Sequence, residues 1–310
     1  MTPDGADAVT SGWRSLVMPE VPESRTEITS LIGVTGATGR LGGRVARRLD
    51  DAGVSQRLLV RDLARAPRLS RARAAHAAFS DYKAVRDALA GVPTVLMVSA
   101  SEAPDRVTQH TTFVDAAVAA RVRHLIYVSF YGAAPDSTFT LGRDHFATEQ
   151  YIRSSGLTFT FLRDNLYADF MAAMVGADGV IRGPAADGRV AAVAQHDIAD
   201  AAAAVLLDPA PHAGATYSLT GPEALSLYDV ASAITGALRR PVRYRPETLE
   251  EAYASRARYL APDWQVDAWV STYTAIANGE LAAVTEDIPL LTGHPATSLA
   301  SLLRRGGSAY

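Results

Sequence analysis

The feature that most constrains the fold is a glycine-rich turn at residues 33–43, with the sequence GVTGATGRLGG. It continues an apolar, β-branched run at residues 28–35, which predicts a buried strand. It opens a stretch in which Leu41, Val45 and Leu49 recur every four positions, as on one face of a helix. A strand, a tight glycine turn and a helix N-terminus in this order are typical of a dinucleotide-binding unit, in which backbone N–H groups surround a pyrophosphate. A Walker-type phosphate loop is excluded, because no G-K-[ST] triplet follows the glycines.

Short apolar runs and amphipathic segments alternate through six rounds up to about residue 165. The six predicted strands cover residues 28–35, 57–60, 74–79, 94–99, 124–129 and 157–162. This alternation predicts an α/β fold with a Rossmann-type, doubly wound parallel sheet and a smaller C-terminal α/β substrate lobe. In that lobe we expect a helix at about residues 167–175, a strand at residues 190–194, and Asp197 as the cap of the next helix.

The same pattern divides the chain into three parts. We expect an N-terminal extension at residues 1–27, a NAD(P)-binding Rossmann domain at residues 28–165, and a smaller substrate-binding lobe at residues 166–310 that is interleaved with the end of the sheet. The extension has no basic segment followed by an apolar core, so it does not resemble a signal peptide. It is either a disordered tail or a lid, since Trp13 and its apolar neighbours form a cluster that a lid would bury.

Composition excludes several classes of function. The 310 residues include no cysteine, which excludes disulfides, thiolate nucleophiles and cysteine metal sites. The formal net charge of −3 gives no overall basic field for nucleic acid or an anionic membrane. No apolar run approaches the roughly 18 residues of a membrane span. We expect a cytoplasmic protein that acts on a small molecule, without nucleic acid, membrane or bound metal, and compatible with a homodimer.

The second predicted strand ends at Val60-Arg61-Asp62, where this kind of fold recognises the adenosine end of its cofactor. An acidic residue here binds the ribose hydroxyls of NADH, whereas an arginine suits the 2′-phosphate of NADPH. Arg61 therefore favours NADPH, and Asp62 leaves NADH open.

Beyond the glycine turn, several motifs are familiar. They are LVRD at residues 59–62, SASE at 99–102, QH at 109–110, DHFATE at 144–149, LRDNLY at 162–167, HDIA at 196–199 and GHPAT at 293–297. With these motifs the chain resembles the NmrA-like branch of the atypical short-chain dehydrogenases/reductases, and most of all the bacterial type 2 NAD(P)H:quinone oxidoreductases. The likeness runs from about residue 30 to residue 304.

The resemblance implies a set of cofactor contacts. It implies that the glycine turn wraps the pyrophosphate through Gly36, Thr38, Gly39, Arg40 and Leu41. It also implies that Arg61 meets the adenosine end. The end of the fourth strand would lie along the cofactor toward the nicotinamide ribose, at Ser99, Ala100 and Ser101.

The usual proton donor of the short-chain dehydrogenases is missing. That donor is the tyrosine of Tyr-x-x-x-Lys, in which the lysine lowers the pKa of the tyrosine. The single lysine of this chain is Lys83, and the residue four positions before it is Phe79. In the aligned helix Leu141 takes the place of the tyrosine and His145 that of the lysine. His145 either binds the nicotinamide ribose, supplies a proton, or has only a structural role.

Other candidate residues lie where loops leave the carboxyl ends of predicted strands, which is the ligand side of such sheets. The candidate catalytic residues are His145, Tyr131 and Tyr167. The candidate substrate-binding residues are Ser129, Asn165 and Tyr167. Plain packing is the competing interpretation for each tyrosine. His145 and Glu149 form an i,i+4 pair, but two ligands without a third do not make a metal site.

Three functions fit these residues. The first is an NADPH-dependent oxidoreductase that transfers a hydride to a quinone or a similar conjugated carbonyl, which is a strong acceptor and needs positioning more than acid catalysis. The second is a ketoreductase or imine reductase of a polycyclic aromatic metabolite, whose substrate the N-terminal extension would cover. The third is a non-catalytic sensor that binds NADP(H) and signals to a partner protein.

Overall fold

The computed structural model describes residues 31–306. The extension predicted at residues 1–27 and the start of the first predicted strand lie outside this range. In chain order the strands are β1 (Ile32–Thr35), β2 (Gln56–Val60), β3 (Ala72–His76), β4 (Thr94–Val98), β5 (His124–Phe130), β6 (Thr158–Asp164), β7 (Val180–Gly183), β8 (Arg189–Val190), β9 (Thr216–Leu219), β10 (Leu225–Ser226) and β11 (Arg243–Pro246).

The helices alternate with the strands in the first half of the chain and dominate the second half. They are α1 (Arg40–Asp51), α2 (Tyr82–Ala88), α3 (Arg106–Ala119), α4 (Thr140–Ser154), α5 (Gln195–Leu207), α6 (Leu227–Leu238), α7 (Leu249–Arg256), α8 (Asp263–Ala277), α9 (Asp287–Thr292) and α10 (Leu299–Gly306). None of these helices, which cover the part of the chain that the structure describes, is long and apolar enough to cross a membrane.

Seven strands form one sheet in the order β3-β2-β1-β4-β5-β6-β9, and all neighbours are parallel. Helices cover both faces. Alternate residues of β4 show this, because Leu96 belongs to a core cluster with α1 and α5, whereas Val95 and Met97 belong to a cluster with α2, α3 and α4. The predicted α/β, Rossmann-type parallel sheet is confirmed.

A second core lies beyond the carboxyl ends of β5 and β6. It contains Phe130 at the end of β5, Met171, Ile181 in β7, and the apolar face of α6. Two small sheets support it, the antiparallel pair β8 and β10 and the parallel pair β7 and β11. The chain after residue 165 therefore builds a separate apolar layer over the ligand side of the main sheet, and it also returns to that sheet through β9.

Three local expectations in this second half differ from the structure, two in helix type or strand length and one in the role of a residue. The segment expected as a helix at residues 167–175 is a 3-10 helix over Ala168–Met174, and the strand expected at residues 190–194 is the two-residue β8. Asp197 does not cap a helix, because α5 begins two residues before it. Its buried carboxylate instead accepts hydrogen bonds from the backbone N–H and hydroxyl of Thr297, at 2.6 and 3.1 Å. A tertiary contact across 100 residues thus competes with the local cap.

The glycine turn brings α1 unusually close to the end of β1. Gly36 has a φ of +65°, a conformation that side chains disfavour. A Cβ added at Gly42 would lie 2.5 Å from the carbonyl carbon and oxygen of Gly36 and 2.6 Å from the carbonyl oxygen of Thr35. The missing side chain of Gly42 is therefore what lets the helix rest directly on the turn.

Replacing Gly42 by alanine should destabilise the protein. The new Cβ meets backbone atoms that cannot move aside, and overpacking of this kind costs about 1–3 kcal/mol. Gly236→Ala in α6 is the matched control, because a Cβ there has nothing within 4 Å, and the same change should be neutral or stabilise by roughly 0.5–1 kcal/mol. Denaturant unfolding of the two variants measures both effects, and equal stabilities would contradict the close packing.

Candidate active site

A cleft of about 210 Å³ opens at the carboxyl ends of β1 and β4. The strand order reverses here, because the chain runs outward from β1 to β3 on one side and from β4 to β6 on the other. Such a switch point is the usual ligand site of an open parallel sheet. Six of the predicted cofactor-binding residues line this cleft: Gly36, Thr38, Arg61, Ser99, Ala100 and Ser101. The structure therefore brings three separate stretches of sequence together at one site.

The first turn of α1 presents backbone N–H groups without a competing side chain. Gly39 is the N-cap residue, no side chain caps the helix, and the first turn has no acidic residue. Unpaired N–H groups and the helix dipole favour an anion at this end, so a pyrophosphate fits the residues present. Leu41 packs in the core between α1 and the sheet, so it can meet a cofactor only through its backbone.

Arg61 and Asp62 take different positions after β2. Arg61 is exposed and lines the cleft. Asp62 Oδ1 accepts a hydrogen bond from the N–H of Ala64 at 2.9 Å and caps the short 3-10 turn Leu63–Arg65. Because the carboxylate of Asp62 serves its own turn, the geometry favours Arg61 as the contact to a nucleotide phosphate.

Two buried side chains of α3 hold the loop after β4 at Ala100. The backbone N–H of Ala100 donates to His110 Nε2 at 2.9 Å, and Arg106 Nε donates to the carbonyl of Ala100 at 2.9 Å. Burial and the charge of Arg106 lower the pKa of His110 to about 3, so its ring is neutral and Nε2 can accept. Hydrogen bonds between α3 and the backbone of Ala100 thus fix the part of the cleft wall formed by Ser99–Ser101.

His145 lies in the same buried network and is only 6% exposed. Its Nε2 is 2.9 Å from Arg106 Nη2, and its Nδ1 is 2.9 Å from the hydroxyl of Tyr127. A guanidinium can only donate, so Nε2 accepts and Nδ1 carries the ring proton. Burial and then the charge of Arg106 hold the pKa of His145 well below its ordinary 6.5. The neutral ring supports Arg106, and the expected contact of His145 with the nicotinamide ribose, or its proton donation, stays a prediction.

A larger cavity of about 1260 Å³ lies between the 3-10 helix Ala168–Met174 and helices α7 and α8. Aromatic side chains make up much of its wall: Tyr167, Phe170, Tyr259, Trp269 and Tyr273. Stacking on such walls suits a flat, conjugated molecule.

Most of the charges in this wall neutralise one another. The ion pairs are Arg182 with Asp178 at 2.6 Å, Arg245 with Glu251 at 3.0 Å and Arg256 with Glu247 at 3.0 Å. Arg258 instead lies over the ring of Tyr259, 4.9 Å from its centre. The cavity is therefore an aromatic site with paired charges rather than a strongly basic or acidic one.

Helix α1 connects the cleft to the cavity. The guanidinium of Arg40, which follows the glycine turn, lies 5.4 Å from the ring centre of Phe170 in the cavity wall. One turn later Arg44 pairs with Asp169 at 3.3 Å. A molecule in the cavity would therefore lie next to the end of the cleft that is formed by the glycine turn.

Tyr167 is the predicted catalytic residue that lines the large cavity. Its hydroxyl donates to Asp164 Oδ2 at 2.9 Å, and Asp164 is the last residue of β6 and only 4% exposed. Burial raises the pKa of both groups well above their ordinary values.

Tyr131 lies close by, since its backbone N–H donates to the carbonyl of Asp164 at 2.8 Å. Within residues 31–306 the Tyr131 hydroxyl has no hydrogen-bond partner.

The other two predicted substrate-binding residues have their polar groups engaged inside the protein. Ser129 Oγ donates to Glu149 Oε1 at 2.6 Å, and Glu149 also pairs with Arg163 at 2.6 Å. Asn165 Nδ2 donates to the carbonyl of Leu281 at 3.0 Å. Both residues are buried, and neither lines the cleft or the cavity described above. Their expected contact with substrate stays a prediction.

Sequence reasoning did not single out Arg106, and it named His110 and Asp164 only as members of the QH and LRDNLY motifs. A signal for the first was present, because Arg106 and His110 are four residues apart on one helix face directly after the cleft loop. Asp164 was visible as an acid two residues after an otherwise uncharged strand, LTFTFL. The sequence alone does not indicate that these polar side chains are buried inside the protein.

Comparisons of sequence and of structure with known proteins find relatives of the same kind, among them NAD(P)H-dependent reductases. The NmrA-like family profile matches residues 28–260. The chain is 33% identical over 286 residues to the NAD(P)H azoreductase of Xenophilus azovorans, which covers 90% of this chain and 99% of that protein. Among solved structures, the NADPH-dependent quinone oxidoreductase of Escherichia coli in complex with NADPH has a TM-score of 0.81 at 31% identity, over 88% of this chain and 99% of its own. The triphenylmethane reductase of Citrobacter sp. has a TM-score of 0.80 at 28% identity, over 90% and 99%.

Replacing His110 by phenylalanine should loosen the cleft loop. The ring is kept, but the acceptor for the N–H of Ala100 is lost, so we expect faster hydrogen exchange at this amide and about tenfold weaker nucleotide binding. Amide exchange and a binding titration measure the two effects. His124→Phe is the control, because it removes another buried histidine whose partner is Thr160, at 2.8 Å. If His124→Phe accelerated exchange at Ala100 equally, the clamp would be contradicted.

Proposed function

Because the chain belongs to the NmrA-like family, we propose that it is an NADPH-dependent reductase of quinones or similar conjugated aromatic acceptors. The observation that carries the proposal is the aromatic cavity beside the glycine turn, joined to it by the contact of Arg40 with Phe170. When bound, NADPH supplies the hydride. The residues of this chain then have to bind the cofactor, orient the acceptor and deliver a proton.

The cofactor would lie along the cleft. The N–H groups at the start of α1 would hold the pyrophosphate, and Arg61 would hold the 2′-phosphate. The loop Ser99–Ser101 would support the nicotinamide half, since Arg106 and His110 fix it rigidly. A rigid loop at this place lowers the cost of orienting the nicotinamide against an acceptor.

The acceptor would lie in the large cavity against Tyr167 and Phe170. A volume of about 1260 Å³ exceeds what a single ring requires, as ligand pockets of roughly 300–1,000 Å³ hold drug-sized molecules. Bicyclic and larger acceptors therefore fit the cavity better than benzoquinone does. Of the candidate catalytic residues, Tyr167 is favoured as proton donor, because it is the one in the cavity wall.

His145 and Tyr131 have different proposed roles. A neutral His145 is a poor proton source, so we assign it to the support of Arg106 and through Arg106 of the cleft loop. The Tyr131 hydroxyl, which has no hydrogen-bond partner within residues 31–306, is assigned to contact with a substrate oxygen. The expected cytoplasmic location and homodimer stay predictions.

A single assay tests the proposed function. We expect the full-length protein to oxidise NADPH in a saturable reaction that requires a naphthoquinone, faster with NADPH than with NADH. Tight NADPH binding without oxidation by any quinone would contradict the proposal. It would favour the ketoreductase or imine reductase of a polycyclic metabolite, or the non-catalytic sensor.

Arg61→Ala should weaken NADPH binding by about 10- to 100-fold and NADH binding very little, because the lost partner is the 2′-phosphate and a hydrogen bond to a charged group contributes about 1.5–3 kcal/mol. Titration of each nucleotide into the variant measures the difference. Arg73→Ala on the exposed face of β3 is the control and should change neither affinity. Equal losses for NADPH and NADH in Arg61→Ala would refute the assignment.

A further inference from the structure

We propose that Asp164 is the proton reserve of Tyr167, so that Tyr167 gives its hydroxyl proton to the reduced acceptor while it takes a proton from the Asp164 carboxyl group. The proposal rests on the proposed function and adds to it a residue that touches neither cofactor nor substrate. It also divides acceptors into those that need this proton and those that do not.

The geometry of Asp164 sets it apart from the other acids of the site. It is 4% exposed, and its carboxyl group accepts a hydrogen bond from Tyr167 at 2.9 Å. Within residues 31–306 it forms no ion pair with any arginine, lysine or histidine. Its neighbours in register are Phe130 of β5 and Leu219 of β9, which are apolar. A buried carboxylate with no cation is costly, so the neutral acid is the stable form.

The titratable neighbours of the pair support this assignment. Burial raises the pKa of Asp164 well above 3.8 and outweighs the hydrogen bond from Tyr167, which lowers it. Around Tyr167, Arg106 lowers the pKa, whereas Asp164 and Asp169 raise it, and burial raises it most. A tyrosine with such a raised pKa is a poor acid when it must be left as tyrosinate. A neutral Asp164 carboxyl group next to Tyr167 can return a proton to the tyrosine, so no tyrosinate has to remain.

Reduction of a quinone requires a proton transfer after the hydride transfer. A quinone that has accepted a hydride is a hydroquinone monoanion, which needs one proton. For this transfer the hydrogen bond of the resting pair reverses: the Asp164 O–H donates to the Tyr167 oxygen, and the Tyr167 O–H donates to the oxygen of the reduced acceptor. The O–H bond of Tyr167 then breaks as the hydroquinone O–H bond forms, and the O–H bond of Asp164 breaks as that of Tyr167 forms again. Asp164 is left as a carboxylate and takes a proton from water after the product leaves. Tyr167 begins and ends the cycle as a neutral phenol.

Two acceptors separate the proton step from hydride transfer. A naphthoquinone needs both a hydride and a proton. A triphenylmethane dye cation becomes a neutral product on accepting a hydride and needs no proton. We expect Asp164→Asn and Tyr167→Phe each to lower kcat for the quinone by about 100-fold, and to lower kcat for the dye by a much smaller factor, because only the quinone needs the proton. The double variant should be no slower than either single variant, because the two residues act as a unit.

The exposed pair Tyr151 and Asp115 provides matched control variants. The Tyr151 hydroxyl donates to Asp115 Oδ1 at 2.7 Å on the outer surface of α3 and α4. Tyr151→Phe and Asp115→Asn make the same chemical changes and should alter neither activity. If Asp164→Asn lowered quinone and dye turnover equally, its role would be structural and the proposal would be wrong. If the wild type reduced neither acceptor, the proposed function itself would fail.

The protonation of Asp164 can be measured without any cofactor. Infrared spectra of the free protein at neutral pH should contain a protonated carboxyl band that is missing in Asp164→Asn and disappears as the pH is raised. The wild-type kcat for the quinone should fall over the same pH range, because the neutral acid is the active form, and that of Asp164→Asn should stay flat there. Absence of the infrared band at neutral pH would overturn the proposal even if the reductase is active.

Discussion

The close contact between α1 and the glycine turn is the constraint on which the site depends. Because Gly42 has no side chain, α1 rests on the backbone of Gly36 and aims its N-terminus at the cleft. From this position the arginines of α1 reach two other parts of the protein, the 3-10 helix Ala168–Met174 and α5. Arg40 contacts Phe170, Arg44 pairs with Asp169, and Arg48 pairs with Asp200 in α5. One missing methyl group therefore positions the phosphate site, one wall of the large cavity and the packing of two helices.

Charge under the cleft is arranged unlike that of the usual short-chain dehydrogenase site. His145, which is expected from the sequence at the place of the lysine, is neutral, and the positive charge beside it comes from Arg106 on the neighbouring helix. Arg106 is 3% exposed, and its Nη1 lies 3.6 Å from Asp144 Oδ2, its one acidic partner within residues 31–306. The charge of Arg106 lowers the pKa of Tyr167, but burial raises that pKa more, so the proposed proton transfer has to draw its acid strength from elsewhere in the site.

The parts of the fold that were predicted correctly are those in which a local pattern and the tertiary structure agree. The glycine spacing, the four-residue period of α1 and the apolar strands all express interactions between near neighbours in sequence, so the parallel sheet could be predicted. The cleft residues could be predicted to lie together because each stretch follows a strand at the same edge of the parallel sheet. Predictions that used only the position of a residue relative to an expected helix or strand were less accurate. Asp197 looked like a cap because its partner Thr297 is remote in sequence.

The direction of side chains at strand ends also limited the prediction of site residues from the sequence. Ser129 and Asn165 follow the rule that ligand sites lie at the carboxyl edge, yet their polar groups bind Glu149 and Leu281 inside the protein. One residue away from Asn165, Asp164 lies under the tyrosine of the cavity wall. Alternation along a strand assigns neighbours to opposite faces, and a single sequence does not say which face meets the ligand.

The separation of the two sites along the chain has an evolutionary consequence. The cleft is built from residues 36–109 and the large cavity from residues 166–276. Substitutions in α7 and α8 can therefore remodel the aromatic wall while the nucleotide cleft is inherited unchanged. Under the proposed function, a change of acceptor therefore requires substitutions only in the second half of the chain.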